Sequence, residues 1–171
     1  MPSADLDDCL RELLPRLRRF ALWLTRDAHT ADDLVQASLE RALTHWADRR
    51  DDDALRSWLF TILYRQFLDS RRSAKRYAGL LGRIREDDEP QWPSAEDQAV
   101  ARSMLGAFGK LTAEQRSLLL LVAVEGFNYR EVAELLEVPI GTVMSRLSRA
   151  RAALRALGDG QSPAPSLRLM K

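Results

Sequence analysis

Residues 129–155 read YREVAELLEVPIGTVMSRLSRARAALR, and the spacing within them decides the fold of this part of the chain. Val132, Leu135 and Leu136 fall on one face of a short helix, and Val143, Leu147, Ala150 and Leu154 on one face of a longer one. Glu137-Val138-Pro139 leaves room only for a tight connection, so the two helices must meet at their apolar faces as a helix-turn-helix. Thr142, Ser145, Arg146 and Arg149 then point outward near the start of the second helix. Small side chains and hydroxyls permit close approach to a major groove, and Arg146 can read a guanine edge with both ends of its guanidinium. Arg149, Arg151 and Arg155 can neutralise phosphates, and a helix N-terminus itself favours an anion. An ordinary amphipathic hairpin with a solvated arginine face fits the same pattern. DNA binding is the sharper of the two readings.

Working outward, Asn128-Tyr129-Arg130-Glu131 is a capping-box pattern that starts the first of these helices. Thr112-Ala113-Glu114-Gln115 repeats it and predicts a helix that ends at Gly126. A further helix is expected over residues 95–108. Upstream, Leu6, Leu10, Leu13, Leu17, Phe20 and Leu24 recur at three and four residues, with Pro15 expected to kink or divide the element. Residues 31–46 form a second helix, with Val35, Leu39, Ala42, Leu43 and Trp46 on its buried face and Asp33, Gln36 and Glu40 on the opposite one. Residues 47–53 have no apolar rhythm and read as a loop. Leu55, Leu59, Ile62, Leu63 and Gln66 share a face of a helix over residues 54–72, which leaves Trp58, Thr61, Arg65 and Arg72 on another. No segment alternates as a strand does, so the chain is all-α.

At 171 residues, 46% hydrophobic and 30% charged, the chain is long enough for one domain or two small ones. Its net charge of +1 conceals strong segregation. Residues 64–85 carry seven basic side chains against the single Asp69, about +6. Glu86-Asp87-Asp88-Glu89, Glu96 and Asp97 follow at about −6, with Pro90 and Pro93 around Trp92. Residues 140–157 hold four arginines and no acid, about +4. Two small helical domains are therefore expected, over residues 1–80 and 98–158, joined by a flexible acidic linker at residues 81–97. A disordered tail is expected from residue 159.

Several classes drop out. No run approaches the ~18 apolar residues of a membrane span. The N-terminus lacks the basic and apolar regions of a secretory signal, so the chain is expected in the cytoplasm. A single cysteine, Cys9, and two histidines give neither a disulfide nor zinc spacing, so no metal or cofactor is expected. Cys9 reads as a buried spacer on the first helix or as a redox sensor. There is no nucleophile with a base at telling spacing, no Gly-rich phosphate loop and no HExxH, so an enzyme is not expected. The basic end of the 54–72 helix, with Arg71, Arg72, Lys75 and Arg76 beside Trp58, Phe60, Tyr64 and Phe67, allows two readings. It can contact phosphates and stack bases, or its aromatics are core and its cations simply suit a helix C-terminus.

At this point the chain resembles a bacterial RNA polymerase sigma factor of the extracytoplasmic-function (ECF) group. The strings that carry the resemblance are Pro15-Arg16-Leu17-Arg18-Arg19-Phe20-Ala21, Ala31-Asp32-Asp33-Leu34-Val35-Gln36, Ser57-Trp58-Leu59-Phe60-Thr61-Ile62 and residues 141–151, in the family's order. The resemblance spans residues 10–157 and implies two helical domains, σ2 and σ4, without σ3. It implies that Asp33, Leu34, Gln36 and Glu40 dock on the clamp helices of the polymerase β′ subunit, and that σ4 sits at the β flap. It further implies that Trp58, Arg65, Arg71 and Arg72 serve −10 recognition and melting, and that Thr142, Ser145, Arg146, Arg149 and Arg151 serve the −35 element. An anti-sigma factor, in many members membrane-bound, is implied as a partner, and no small-molecule substrate.

The sequence departs from the family pattern in four places. Ala37 stands where an acid is usual, Tyr64-Arg65 where Arg-Asn is frequent, and Met144 where Lys or Arg is common. Glu137 replaces a frequent Gly, at about 1 kcal/mol if the turn is left-handed. The polyanionic linker fits two roles: threading the polymerase's RNA-exit path as a nucleic-acid mimic, or keeping itself extended and soluble. Two rival functions belong to other classes. A free-standing helix-turn-helix regulator would need a dimer interface to read a palindrome, and no spare heptad is visible. A pure interaction protein would have no use for the acid-free arginine helix.

Overall fold

Helix signals dominate the chain, and the computed structural model, which describes residues 4–46, 55–80 and 106–159, contains helices and no strand among those residues. Helix α1 spans Ala4–Thr25, α2 Ala28–Thr44 and α3 Leu55–Leu80. Residues 106–109 are helical, and α4 covers Ala113–Leu119 and runs on as a π-helical turn over Leu120–Val124. Helices α5, Tyr129–Leu136, and α6, Ile140–Gly158, complete the architecture.

Local chemistry accounts for most element starts. Both capping boxes form: the Thr112 hydroxyl accepts from the Gln115 amide while the Gln115 side chain accepts from the Thr112 amide, and Asn128 and Glu131 do the same for α5. Asp27 caps α2 three residues earlier than the spacing predicts, its carboxylate accepting from the Thr30 amide and hydroxyl.

Three expectations are corrected. Pro15 does not divide the element: it lies inside one uninterrupted helix, on its exposed face, where water can donate to the carbonyl that proline leaves without an amide partner. Helix α3 continues past Arg72 to Leu80. The buried stripe of α2 is Ala31, Leu34, Val35, Ser38 and Ala42, so Leu34 is buried while Leu43 is 60% exposed. Ser38 fits that stripe because its hydroxyl donates back to the Leu34 carbonyl at 2.6 Å. The loop at residues 47–53, the acidic linker at 81–97, most of the helix expected at 95–108, and residues 160–171 lie outside the described residues, as does the Cys9 side chain.

The two helical halves, α1–α3 and residues 106–159, share one hydrophobic core. Phe20 stacks against Phe60 at 5.3 Å between ring centres, and Phe60 meets Phe127 of the second half edge-on at 5.3 Å. Trp23 and Phe108 form a second edge-to-face pair across the halves at 4.7 Å. Such pairs contribute about 0.5–1.5 kcal/mol beyond the area they bury.

Candidate nucleic-acid interface

The helix-turn-helix follows from its sequence almost residue by residue. Val132 and Leu135 of α5 and Val143, Leu147 and Ala150 of α6 are buried against one another, with Leu136 and Leu154 partly so. Glu137 ends α5 in the left-handed conformation, φ 55° and ψ 45°, which is the geometry that makes glycine frequent at such a turn. The inward packing fixes what faces out. Ser145, Arg149, Arg151 and Arg155 are exposed, and Thr142 and Arg146 are half-buried. The exposed face of α6 carries arginines without an acid, and Ile140 and Met144 extend it with apolar surface. Arg146 is held in an ion pair with Glu114 of α4.

The second basic element is α3. Phe60, Tyr64 and Phe67 are buried, so these rings are core and are not bases' stacking partners. Trp58 is partly buried and packs edge-on against Trp46 at 6.0 Å, which leaves a fraction of its ring at the surface. Arg65, Arg71 and Arg72 are exposed; Arg71 lies over the Phe67 ring at 5.8 Å, and Arg72 reaches Asp69 at 3.4 Å. Burial pushes the Tyr64 hydroxyl above its ordinary pKa, and a hydrogen bond with Ser117 offsets part of that shift. Tyr64 thus belongs to the packing between the halves.

On α2 the polar stripe is present in part. Asp33, Gln36 and Glu40 are exposed, Gln36 donating to Glu40 at 3.0 Å and His29 lying 3.6 Å from Asp33. Leu34 faces the core and does not join them. Beside the stripe, Arg18 of α1 donates to Asp32 at 2.6 and 3.2 Å, which holds the Asp32 carboxyl below the usual carboxylate range and raises the Arg18 guanidinium.

Sequence reasoning missed the charged residues that join the halves. Glu125, its side chain 1% exposed, accepts from Arg16 at 2.8 Å and Arg19 at 2.7 Å, while Arg16 also donates to its carbonyl at 3.1 Å. The π-helical turn sets this up: the Glu125 amide reaches back to the Leu120 carbonyl, and the extra residue per turn carries Glu125 and Phe127 toward the first half. Arg116, 4% exposed, donates to the carbonyls of Trp23, Leu24, Gly109 and Leu111, so it caps the C-terminus of α1 from the other half of the chain. Arg56 lies over Phe127 at 4.0 Å. Among the described residues no cluster of His, Cys, Asp or Glu could hold a metal ion, and no helix is long and apolar enough to cross a membrane.

Comparison with known proteins matches these two halves separately. Residues 10–64 fit the family described as the Sigma2 domain of PhyR, and residues 101–154 fit Sigma-70, region 4. The chain is 35% identical over 158 residues to the ECF RNA polymerase sigma factor EcfG of Rhodopseudomonas palustris, covering 92% of this chain and 87% of that one. It is 36% identical over 144 residues to the ECF RNA polymerase sigma factor SigL of Mycobacterium tuberculosis, covering 81% and 80%. Among solved structures, the sigma factor RpoE of Bartonella quintana, in complex with the anti-sigma factor NepR, matches with a TM-score of 0.80 and 31% identity over 91% of this chain and 97% of that one. These relatives are transcription initiation factors rather than enzymes.

Proposed function

This chain belongs to the ECF RNA polymerase sigma factors, and from that premise we propose how its own residues divide the work of an alternative sigma factor under anti-sigma control. Residues 1–80 bind core polymerase and handle the −10 element; residues 98–158 read the −35 element; residues 81–97 connect them and residues 159–171 form a tail. Asp33, Gln36 and Glu40 meet the β′ clamp helices, with Leu34 supporting α2 from the core rather than touching the partner. Trp58, Arg65, Arg71 and Arg72 take the melted −10 strand, by phosphate contact and by the free part of the Trp58 ring.

Thr142, Ser145, Arg146, Arg149 and Arg151 read and anchor the −35 duplex, and the second half docks at the β flap. The protein works in the cytoplasm, does no covalent chemistry and takes no cofactor or small-molecule substrate. An anti-sigma factor is its controlling partner, by analogy with the NepR-bound neighbour.

The observation that carries this reading is the acid-free outer face of α6 on a helix-turn-helix whose inner face packs through Val132, Leu135, Val143, Leu147 and Ala150. A solvated hairpin would have no need to exclude carboxylates from that face, whereas a phosphate surface would. Core binding can be tested by size-exclusion chromatography of the protein with bacterial core polymerase. Co-elution that Gln36→Ala and Asp33→Ala weaken supports the reading. Full co-elution of the double variant would place the contact elsewhere.

A further inference from the structure

Arg65, which the functional reading assigns to the melted strand, is engaged within the molecule: its guanidinium is paired with the carboxylate of Glu137. The two belong to different halves, α3 and the turn of the helix-turn-helix. Glu137 holds a left-handed conformation that glycine adopts without cost, so turn chemistry alone argues against glutamate there. What glutamate adds is a carboxylate that reaches across to the first half. A carboxylate on a guanidinium makes the same charge-assisted hydrogen bonds as a phosphate oxygen does.

The surroundings distinguish this pair from the buried ion pairs that Glu125 makes between the halves. Glu125 is buried and held by two arginines, Arg16 and Arg19, so it fixes the arrangement. Arg65 and Glu137 are 55% and 67% exposed in their side chains, open to solvent and to a competing anion. Arg146, the candidate −35 reader, is likewise paired with Glu114, and both line a cleft of about 240 Å³ together with Tyr64, Phe67, Arg71 and Leu136. In this state two of the arginines assigned to DNA, Arg65 and Arg146, are paired with the protein's own carboxylates.

We propose that Glu137 is an internal surrogate for the DNA backbone: it masks Arg65 while the halves are packed together, and promoter DNA must displace it. The Glu125 clasp holds the closed arrangement in which the masking contact forms. The inference rests on Arg65 being a DNA contact, and the test separates the two ideas.

The probe is a fluorescein-labelled single-stranded DNA of about 20 nucleotides, its binding to the full-length protein followed by anisotropy at low salt. Glu137→Gln removes the charge and leaves the cost of the left-handed backbone; Glu137→Gly removes the charge and that cost together. Each should tighten DNA binding about two- to fivefold, the range over which an exposed pair competes. Only Glu137→Gly should also raise the melting temperature, by about 2–4 °C, because only it relieves the turn. Arg65→Ala should weaken binding, and adding Glu137→Gln to it should restore nothing. If Arg65→Ala weakens binding while both Glu137 variants leave it unchanged, Arg65 meets DNA but Glu137 does not mask it, and the proposal is overturned. If Arg65→Ala has no effect, the assignment of Arg65 to DNA fails and the masking idea falls with it.

Discussion

Replacing Arg116 by methionine removes a buried polar link between the halves while filling much of the same volume. The guanidinium donates to Trp23 at 3.0 Å, to Gly109 at 3.1 Å, to Leu24 at 3.5 Å and to Leu111, and only 4% of the residue is exposed. Hydrogen bonds to a charged group contribute about 1.5–3 kcal/mol each, part of which the desolvation of the guanidinium offsets. The carbonyls of Trp23 and Leu24 lose a donor at the end of α1, and those of Gly109 and Leu111 lose it in the segment before α4. A loss of about 3–5 kcal/mol is expected. For a chain of this size that is a fall of about 10 °C in melting temperature. Circular dichroism at 222 nm, the standard helix band, reads it directly. Arg116→Lys should recover part of the loss, since an ammonium keeps the charge but cannot fork to several carbonyls. Because Arg116 ties two halves that share one core, the parent should melt in a single transition. A methionine variant that melts within about 2 °C of the parent, or a parent that melts in two separated steps, would refute the shared-core account.

Other consequences are smaller. Thr112→Ala should cost about 1 kcal/mol through loss of the α4 cap, read as a fall of about 2–4 °C in melting temperature. Arg146→Ala should weaken −35 duplex binding about 5- to 150-fold for the matching sequence and much less for a scrambled one; equal losses on both would mean that it touches only backbone. Asp32, paired with Arg18, has a folded-state pKa below its unfolded value, so the pair's stabilisation is fully present above the ordinary carboxylate value near 3.9 and is lost as pH falls through the lower folded value. Asp32→Asn should therefore melt below the parent near neutrality and together with it in strong acid, and a gap that persists in acid would contradict that assignment.

How much of this was legible depended on whether the signal was local. The two capping boxes were visible because each is four residues long and forms its own bonds. The helix-turn-helix was visible because Val132, Leu135, Val143, Leu147 and Ala150 recur with the helical period. The phase of α2 was misjudged because its buried stripe includes Ser38, whose hydroxyl is satisfied by its own helix and so breaks the apolar pattern without leaving it. Leu43, one residue past buried Ala42, consequently looked like core. The π-helical turn was invisible, since residues 118–124 are uniformly apolar and carry no period. The roles of Glu125 and Arg116 were not legible because their partners in the first half lie about a hundred residues away in the chain, and no local pattern announces a pairing at that separation.

The central claim, that this chain directs promoter-specific initiation, is tested most directly by run-off transcription from a genomic fragment library with bacterial core polymerase, with and without the protein. The account predicts transcripts that appear only with the protein and whose start sites share a two-element promoter, lost with Gln36→Ala or Arg146→Ala. Specific DNA binding without any directed initiation by a cognate core enzyme would contradict it and favour a free-standing regulator.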